Sequence, residues 1–306
     1  MTTYDGNAKA AAKEEQLKAK VDRLDVKPQI GAILFTEDAG SRLYTRLKKE
    51  AAERLGMQYH VRELPIWKPL EEIADIIDEY NFNPEITGVI IQKPMRRVWE
   101  EEMGDVDISY QEWWEVLVKL IDERKDVDGL HPSSMEAIAD GTWKEKGKVL
   151  PATCQAVIDI LVDYCREVIN KKPEEMSGDS ALKCLENKKI IILGKSDLLG
   201  KPLYYYLHNL HINVEMIGSK ELQERVASGV ALTDADVVVT ATGRHHLITG
   251  EMLKEGSAVI DVGEPRPDVE FESVSTKADF VTPVPGGVGP MTVVCLMENG
   301  VKLVSN

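Results

Sequence analysis

The chain has 306 residues, of which 43% are hydrophobic and 29% are charged. This length is sufficient for two domains, and the composition is normal for a globular enzyme. Its 37 Lys and Arg against 52 Asp and Glu give a formal net charge of −15 at pH 7, which argues against a nucleic-acid partner because such binding relies on clustered basic side chains. No apolar run approaches the ~20 residues that span a membrane, and the N-terminal residues resemble neither a signal peptide nor a transit peptide. We therefore expect a cytoplasmic protein that binds neither nucleic acid nor a membrane.

The first half of the chain alternates strand and helix patterns. Residues 8–24 have a helical mixture of Ala, Lys, Glu and Leu, and the apolar run QIGAILF (29–35) predicts a buried strand. Residues 42–56 repeat Leu or Ala every four positions and residues 70–81 are amphipathic, so both predict helices. A second buried strand is predicted at 86–92. Strand, helix and strand with continuous Ile and Val runs favour a parallel sheet covered by helices.

Two stretches of this chain interrupt the alternating pattern. Residues 96–125 are acidic and contain Trp99, Trp113 and Trp114. The stretch QEWWEVLVKLIDE fits an amphipathic helix, so we interpret these tryptophans as packing anchors rather than ligand contacts. Residues 170–187 follow a strong helix pattern and mix charges with Pro, Gly and Ser. We predict that they form a surface excursion and not a domain break.

The second half contains five short apolar runs, spaced so that helices fit between them. Such a series predicts a doubly wound nucleotide-binding sheet, and the final residues 291–304 are compatible with a helix. The predicted strands are 188–194, 212–218, 235–242, 257–263 and 279–284. The fold class predicted for the whole chain is therefore α/β, with an N-terminal α/β domain, a Rossmann-type dinucleotide-binding domain and a cleft between them.

Neither the cysteines nor the histidines form a metal-binding pattern. The spacing of the four cysteines also matches no small disulfide framework. We therefore expect all four to be buried free thiols in a reducing cytosol. The sequence DVDG (126–129) lacks the further ligands of an EF-hand loop. His245 and His246 have no Cys or His partners nearby in the sequence. No metal site is predicted. The four cysteines are Cys154, Cys165, Cys184 and Cys295.

The stretch IIILGKSDLLGKP places Gly194, Ser196 and Gly200 between a strand and a helix that starts near Lys201. It is not a phosphate-binding P-loop, because position 189 is Lys where that motif needs Gly. It fits a variant of the dinucleotide turn, in which glycine lets the backbone pass close to a pyrophosphate at a helix N-terminus. A simple tight turn remains the alternative, since the G-x-G-x-x-G spacing is not met.

The end of the next strand decides the type of dinucleotide. A carboxylate there would hold the ribose hydroxyls of NAD, but Glu215 lies inside the strand and is misplaced for this task. Ser219, with the cationic Lys195 and Lys220 expected nearby, would suit a 2′-phosphate. The sequence therefore favours NADP, with NAD as the alternative. A solvated side chain is the alternative interpretation of Lys220.

Candidate residues for chemistry in the first half are Tyr44, Lys48 and Gln92. Tyr44 and Lys48 are four apart and share one helix face. A Tyr ring can stack on a flat heterocycle, and a Lys can transfer a proton if burial lowers its pKa. From spacing alone, a surface Tyr–Lys pair is favoured. Gln92 ends the second strand, where the ligands of parallel sheets gather.

The segment VTPVPGGVGPMT (281–292) has little side-chain chemistry of its own. Because it follows the last strand, we expect it to bridge the two domains along the floor of the cleft. Missing side chains would let its backbone approach a flat ligand, while the prolines limit its entropy. We also predict a cis bond before Pro283 or Pro285.

Together these stretches resemble the bifunctional methylenetetrahydrofolate dehydrogenase/cyclohydrolase family nearly from end to end. The resemblance is carried by YDGNAKA, by Ser41, Tyr44 and Lys48 in the pattern S-x-x-Y-x-x-x-K, and by GVIIQKP, KDVDGLHP, LPAT, GKSDLLGKP, GSAVIDVG and VTPVPGGVGPMT. The most specific of these is the last.

The resemblance implies a role for each candidate residue. Tyr44 would stack on the pterin and aminobenzoate of the folate, and Lys48 would be the general acid/base of the cyclohydrolase step. Gln92 would hydrogen-bond Lys48, and Asp128 would hold the pterin. The implied folate-site backbone is Pro285, Gly286, Gly287, Val288 and Gly289, and the implied cofactor-binding residues are Gly194, Lys195, Ser196, Gly200, Ser219 and Glu264.

The resemblance also implies an architecture and a reaction. Residues 1–152 would form the folate domain, to which a final helix at 291–306 returns, and residues 153–290 would form the Rossmann domain of a homodimer. The enzyme would oxidise 5,10-methylene-tetrahydrofolate with NAD(P) and hydrolyse the methenyl product to 10-formyl-tetrahydrofolate. The alternatives are a monofunctional dehydrogenase, against which the retained Lys48 argues, and a catalytically silent folate-binding regulator.

Several positions depart from the family pattern. Lys93 stands in Gln-Lys-Pro where the family commonly has Leu, and it would either add a cation near the site or point to solvent. Ser134 replaces an expected Asn, Lys195 replaces an Arg, and Glu264 replaces an aliphatic residue. The sequence Pro-Ala-Thr-Cys (151–154) stands where Pro-Cys-Thr-Pro is usual. These departures leave Tyr44, Lys48, Gln92 and Asp128 intact but leave the choice of cofactor open.

Overall fold

The computed structural model describes residues 1–169, 178–263 and 266–305. In chain order its strands and α-helices are β1 (Thr2–Thr3), α1 (Gly6–Asp22), β2 (Gln29–Phe35), α2 (Ala39–Leu55), β3 (Gln58–Leu64), α3 (Leu70–Phe82), β4 (Gly88–Ile91), α4 (Arg96–Met103), α5 (Tyr110–Leu120), α6 (Pro132–Ala139), α7 (Ala152–Tyr164), β5 (Ile190–Leu193), α8 (Gly200–Asn209), β6 (Val214–Ile217), α9 (Ser219–Ala227), β7 (Val237–Thr240), β8 (Ala258–Asp261), α10 (Phe271–Ser275), β9 (Phe280–Val281) and α11 (Val288–Ser305). A π-helix covers Cys165–Ile169, and 3₁₀-helices cover Gly178–Leu185 and Gly250–Met252.

The chain folds into two compact units. The first, here called the six-stranded unit, comprises Met1–Ala11, Ile138–Gly141 and Ala152–Thr292. The second, here called the three-stranded unit, comprises Ala12–Ala137, Thr142–Pro151 and Val293–Asn306. The first eleven residues group with the six-stranded unit because β1 pairs with β9, whereas the sequence places them in the first domain.

The three-stranded unit is built on a parallel sheet of order β3–β2–β4. The central strand β2 and the strand β4 are almost entirely buried, which explains their continuous apolar sequence. The strand β3 is missing from the sequence-based prediction. Its sequence QYHVREL is polar because it is an edge strand with an exposed side, and only Tyr59 and Leu64 are buried.

Aromatic packing fixes α5 to this sheet. Trp113 and Trp114 are buried, and the Trp113 ring lies 5.2 Å from the ring of Phe35 on β2. Ser109 and Glu112 form a capping box at the start of α5, which satisfies the first free N–H groups of the helix. Trp99 on α4 packs against Trp113 at 5.9 Å. The prediction that these tryptophans are packing anchors is confirmed.

The six-stranded unit contains all five strands predicted for the second half. Its sheet is parallel, with order β1–β9–β8–β7–β5–β6, so the strand order reverses at β5. In such doubly wound sheets, ligands bind beyond the carboxyl ends of the strands at this reversal. The sixth strand, β1, is too short for a periodic signal in the sequence. Ile191, Val238 and Val259 lie in the core cluster on one face of this sheet.

The cysteine prediction is only half correct. Cys154 and Cys295 are buried free thiols, as expected. Cys165 and Cys184, in contrast, form a disulfide between the π-helix after α7 and the 3₁₀-helix at Gly178–Leu185. Linear spacing did not indicate that the chain folds back at this point. The surface excursion predicted at 170–187 lies outside the described residues over 170–177.

Candidate active site

Lys48 and Gln92 form a hydrogen-bonded pair in the three-stranded unit. Lys48 lies on α2 and is only 7% exposed, and its Nζ donates to Gln92 Oε1 at 2.8 Å. Gln92 directly follows β4, and its backbone N–H donates to Ile33 O, which continues the ladder between β4 and β2 by one residue. The side chain of Gln92 therefore starts from a fixed backbone position, and the structure brings together two residues 44 positions apart.

Burial lowers the pKa of Lys48 below its usual value, because an ammonium ion is poorly solvated in the interior. The carboxylate of Asp128 acts in the opposite direction and raises that pKa. A lysine whose pKa is lowered in this way can exchange a proton closer to neutral pH than a solvated lysine can.

Tyr44 lies on α2 one turn before Lys48 and is half-buried. Residues four apart in a helix are neighbours on one face, so the phenol ring and the ammonium group project from the same side of α2. Tyr44 is partly accessible, so its ring could stack on a bound ligand. Lys48 is buried, so its amine is shielded from water.

Asp38 and Ser41 hold the helix of Lys48 against the loop of Gln92. The buried carboxylate of Asp38 caps α2 by accepting from Gly40 N at 2.9 Å, and it also accepts from Ser41 Oγ at 2.9 Å and from Met95 N at 2.8 Å. The Ser41 hydroxyl also approaches Lys93 O at 3.3 Å. Sequence reasoning did not identify Asp38 as part of the site, although an Asp directly before a helix is a strong N-cap signal.

The turn that carries Asp128 is fixed by its neighbours. The buried carboxylate of Asp126 accepts from Leu130 N, His131 N and the hydroxyl of Ser134, the last at 2.7 Å. The Ser134 departure therefore supports this turn directly. The Asn299 amide of α11 donates to Val127 O at 3.1 Å and to Leu150 O at 2.8 Å.

Lys93 is half-buried and lies against two aromatic rings instead of pointing freely to solvent. Its Nζ lies 4.8 Å from the centre of the Trp114 ring and 5.6 Å from that of Tyr110. The Tyr110 hydroxyl donates to Pro94 O at 2.7 Å. The helix α5 thus clamps the loop that follows Gln92 through a cation–π contact and a hydrogen bond.

In the six-stranded unit, the turn from β5 to α8 requires glycine at two positions. Gly194 has φ 115, and a Cβ there would lie 2.6 Å from Ala241 O. A Cβ at Gly200 would lie 1.9 Å from Gly194 O. Ser196 O accepts from Lys201 N at 3.0 Å, which closes the turn onto the first residues of α8. This close-packed turn at a helix N-terminus, beside the point of strand reversal, fits the pyrophosphate of a dinucleotide.

The residues predicted for the adenosine end lie at the start of α9. Ser219 is the exposed first residue of this helix. The Lys195 ammonium pairs with Glu221, a residue that sequence reasoning overlooked because it comes four positions after the end of β6. Glu264, the remaining predicted cofactor residue, lies outside the described residues.

The Gly/Pro segment follows β9 and leads into α11. The bond between Val284 and Pro285 is cis, as predicted for one of the two candidate positions. Pro285 is exposed, Gly286 has φ 97, Gly287 directly precedes α11, and Val288 and Gly289 are the first two residues of that helix. A Cβ at Gly6 would lie 1.9 Å from Gly287 O, so this segment also packs its backbone tightly against the start of α1.

Two buried carboxylates lie near the carboxyl ends of β7 and β8. Asp261 accepts from Gly263 N and Val269 N, while Asp268 accepts from the Thr240 hydroxyl at 2.8 Å and from Thr242 N at 2.6 Å. Burial, with the neighbouring Asp268 charge, raises the pKa of Asp261 to about 6. Sequence reasoning missed both residues, because neither an Asp at the last position of a strand, as at Asp261, nor an Asp in a loop, as at Asp268, carries a signal of burial.

The described residues contain neither a metal-binding cluster nor a membrane-spanning helix. No group of three or more His, Cys, Asp or Glu side chains in that part of the chain could hold a metal ion. Within the same residues, no helix has the length and apolar character needed to cross a membrane.

Family models match most of the chain. Residues 4–128 match the tetrahydrofolate dehydrogenase/cyclohydrolase catalytic domain, and residues 175–306 match the NAD(P)-binding domain of the same family. These ranges contain Tyr44, Lys48, Gln92 and Asp128 in the first model and the β5–α8 turn in the second.

Relatives match over nearly their whole length. The bifunctional protein FolD of Lactococcus lactis is 34% identical, with 100% of this chain and 98% of the relative covered, and that of Bacillus subtilis is 33% identical, covering 98% and 96%. The bifunctional FolD dehydrogenase/cyclohydrolase of Campylobacter jejuni has a TM-score of 0.82 at 29% identity, covering 100% and 99%. The Trypanosoma brucei enzyme, solved with NADP cofactor and inhibitor, has a TM-score of 0.80 at 28% identity, covering 99% and 97%. The chain therefore belongs to the tetrahydrofolate dehydrogenase/cyclohydrolase family.

Proposed function

We propose that this enzyme oxidises 5,10-methylene-tetrahydrofolate to the methenyl form and hydrolyses it to 10-formyl-tetrahydrofolate, with Lys48 as the acid/base of the second step. The observation that carries the proposal is the buried Lys48–Gln92 pair in a chain of this family. In this proposal Tyr44 stacks on the pterin and aminobenzoate rings, and Asp128 holds the pterin by hydrogen bonding.

The hydrolytic step needs two proton transfers at one place. Water adds to the methenyl carbon while neutral Lys48 Nζ accepts one of its protons. The bond from that carbon to N5 then breaks, and the Lys48 ammonium donates the proton to N5. The second proton of the water is released to solvent. Gln92 Oε1 accepts a hydrogen bond from Nζ and thereby orients the amine.

A bound dinucleotide would supply the acceptor for the hydride of the methylene carbon. Gly194, Ser196 and Gly200 would cradle its pyrophosphate at the N-terminus of α8, and Lys195 and Ser219 would contact its adenosine ribose. The NADP in the Trypanosoma brucei relative supports NADP as the cofactor here. The remaining proposed contacts are Glu264 with the cofactor and the backbone of Pro285, Gly286, Gly287, Val288 and Gly289 with the folate.

Two further proposed properties, the oligomeric state and the domain division, rest on the family resemblance, and a third, the location, rests on the composition of the chain. We propose that the protein is a homodimer and that it is cytoplasmic. We also propose that it divides into a folate domain, formed by residues 1–152 and 291–306, and a Rossmann domain, formed by residues 153–290. Analytical ultracentrifugation at assay concentrations tests the first, and a monomer would contradict it.

The decisive experiment separates the two activities in Lys48→Met. The dehydrogenase is followed by the absorbance of the reduced dinucleotide, and the cyclohydrolase by loss of the methenyl chromophore. Loss of the base should lower the hydrolytic kcat by about 10²–10⁴-fold, the usual contribution of general acid–base catalysis, and leave a dehydrogenase that turns over.

Lys49→Met is the matched control, because Lys49 is the exposed neighbour of Lys48 on the same helix. It should retain both activities. Absence of reduced dinucleotide with either NADP or NAD in the wild type would contradict the dehydrogenase assignment. Hydrolysis at the spontaneous rate in the wild type would instead indicate a monofunctional dehydrogenase.

A further inference from the structure

A cluster of charged side chains surrounds the first residues of α9. The Lys195 ammonium, from the turn after β5, pairs with the Glu221 carboxylate. Its aliphatic stem crosses Gly218, where a Cβ would lie 3.5 Å from Lys195 Cε. Glu221 Oε2 accepts from Gly218 N at 3.1 Å. The ammonium, the helix N-terminus and the carboxylate therefore meet at one place, next to Ser219.

This place has the attractive features of an anion site, but a carboxylate of the chain already occupies it. A helix N-terminus and a lysine together favour a bound anion. The hydrogen bond from Lys195 lowers the pKa of Glu221 to about 2, so Glu221 is charged at every pH at which the enzyme would be assayed.

The second lysine near Ser219 is also paired. Lys220 Nζ lies 3.9 Å from Glu224, one turn further along α9. Lys195, Lys220, Glu221 and Glu224 carry two positive and two negative charges, so the cluster has no net charge to attract a dianion. The 2′-phosphate of NADP could form an ion pair with Lys195 only by displacing Glu221. The ribose 2′-hydroxyl of NAD, in contrast, could donate a hydrogen bond to the Glu221 carboxylate.

We infer that Glu221 is a specificity-determining residue. Its carboxylate occupies the position that the 2′-phosphate of NADP would take, and it therefore lowers the preference of this enzyme for NADP over NAD. The inference rests on the proposed dinucleotide site. The Lys195–Glu221 pair is solvent-exposed, with 45% and 43% of the two side chains accessible, so the pair is weak and can open for a phosphate. NADP is therefore accepted, but with little advantage over NAD.

The experiment measures kcat/KM for NADP and NAD in the wild type and in Glu221→Gln. It also measures, by calorimetry, the binding of the cofactor fragments 2′,5′-ADP and 5′-AMP. Removing one unit charge about 4 Å from a phosphate should raise the ratio of kcat/KM for NADP to kcat/KM for NAD by about tenfold. The ratio of the affinity for 2′,5′-ADP to the affinity for 5′-AMP should rise by a similar factor. The increase should shrink in high salt, because both groups are exposed.

The controls keep the result specific to Glu221. Glu272→Gln removes an exposed glutamate from the first turn of α10 and should leave both ratios unchanged. The double variant Lys195→Met/Glu221→Gln should show ratios closer to the wild-type values. It lacks the Lys195 ammonium, which in Glu221→Gln would be free to pair with the 2′-phosphate.

The two readouts separate the inference from the proposed function. A shift in the fragment ratio without turnover of either cofactor would support Glu221 as the specificity residue and contradict the dehydrogenase. Ratios that change by less than about threefold in Glu221→Gln, or a wild type that binds neither fragment, would overturn the inference.

Discussion

Burial of Lys48 makes its ammonium form costly, because the interior of the three-stranded unit solvates a charge less well than water does. Asp128 reduces this cost, since its carboxylate stabilises the ammonium and raises the pKa of Lys48. The pKa of Lys48, the proposed acid/base residue, is therefore set by two opposing effects, of which the charge on Asp128 is one.

Replacing Asp128 with Asn should move the pH dependence of the cyclohydrolase. The rate increases with pH as Lys48 loses its proton. Without the Asp128 charge the pKa of Lys48 falls further, so the rise in kcat should occur at lower pH. The measurement is the pH profile of kcat at saturating methenyl-tetrahydrofolate, which separates the effect on Lys48 from any loss of folate affinity.

The control for this prediction is Asp122→Asn, in the same connecting segment. The side chain of Asp122 accepts from Arg124 and is not among the groups that shift the pKa of Lys48. Its profile should superimpose on that of the wild type. A profile of Asp128→Asn that moves to higher pH would show that Asp128 does not act on Lys48 through its charge.

At the scale of secondary-structure elements, α2 and the loop after β4 are joined by one carboxylate. Asp38 caps the helix that carries Lys48 and also accepts from Met95 N, three residues beyond Gln92. Because Lys48 lies on the helix and Gln92 lies in the loop, the distance between these two residues depends on this link.

Asp38→Ala should therefore cost both stability and catalysis. Loss of the cap costs about 1 kcal/mol, and leaving a part-buried N–H without its acceptor costs about 1–3 kcal/mol more in the free energy of unfolding. The cyclohydrolase kcat should fall as well, because Lys48 and Gln92 lose their common anchor. Chemical denaturation and the hydrolytic assay measure the two effects.

Ser109→Ala is the matched control, since it removes the cap of α5 in the same unit without touching α2. It should cost about 1 kcal/mol and leave the hydrolytic kcat close to that of the wild type. Equal losses of kcat in both variants would contradict a positioning role for Asp38 and indicate a general loss of structure.

The periodic elements could be read from the sequence, and the exceptions have a physical cause. The buried strands β2, β4, β5, β7 and β8 have continuous apolar sequences because both of their faces are covered. The edge strand β3 has an exposed side, and β1 has only two residues, so neither produces such a pattern. The Cys165–Cys184 bond depends on the path of the chain after α7, which spacing does not reveal.

At the scale of the whole molecule, the stability of the six-stranded unit should depend on the charge of a buried carboxylate. Burial and the nearby Asp268 raise the pKa of Asp261 from 3.8 to about 6. Since the folded state holds this proton more tightly than the unfolded chain does, the stabilising contribution of Asp261 is fully present below pH 3.8. It is lost as the pH rises to about 6.

The comparison of the wild type with Asp261→Asn isolates this contribution. The difference in the free energy of unfolding, wild type minus variant, should fall by an amount on the order of 3 kcal/mol between pH 4 and pH 6.5, and then remain constant. Denaturant unfolding at several pH values measures it. A difference that does not change over this range, or one that increases, would show that Asp261 is ionised in the folded state throughout.

The sequence by itself determined the α/β class, the strongly periodic helices, the buried strands, the family and the choice of Tyr44, Lys48, Gln92 and Asp128 as candidate site residues. These follow from local periodicity and from motifs that are contiguous along the chain. Only the tertiary structure decided the Lys48–Gln92 contact, the Asp38 link, the position of Lys93 over Trp114 and the pairing of Lys195 with Glu221. Each of these contacts joins groups that are far apart in the sequence or belong to no recognisable motif. The distances between such groups, and their burial, are fixed only when the sheets and helices pack.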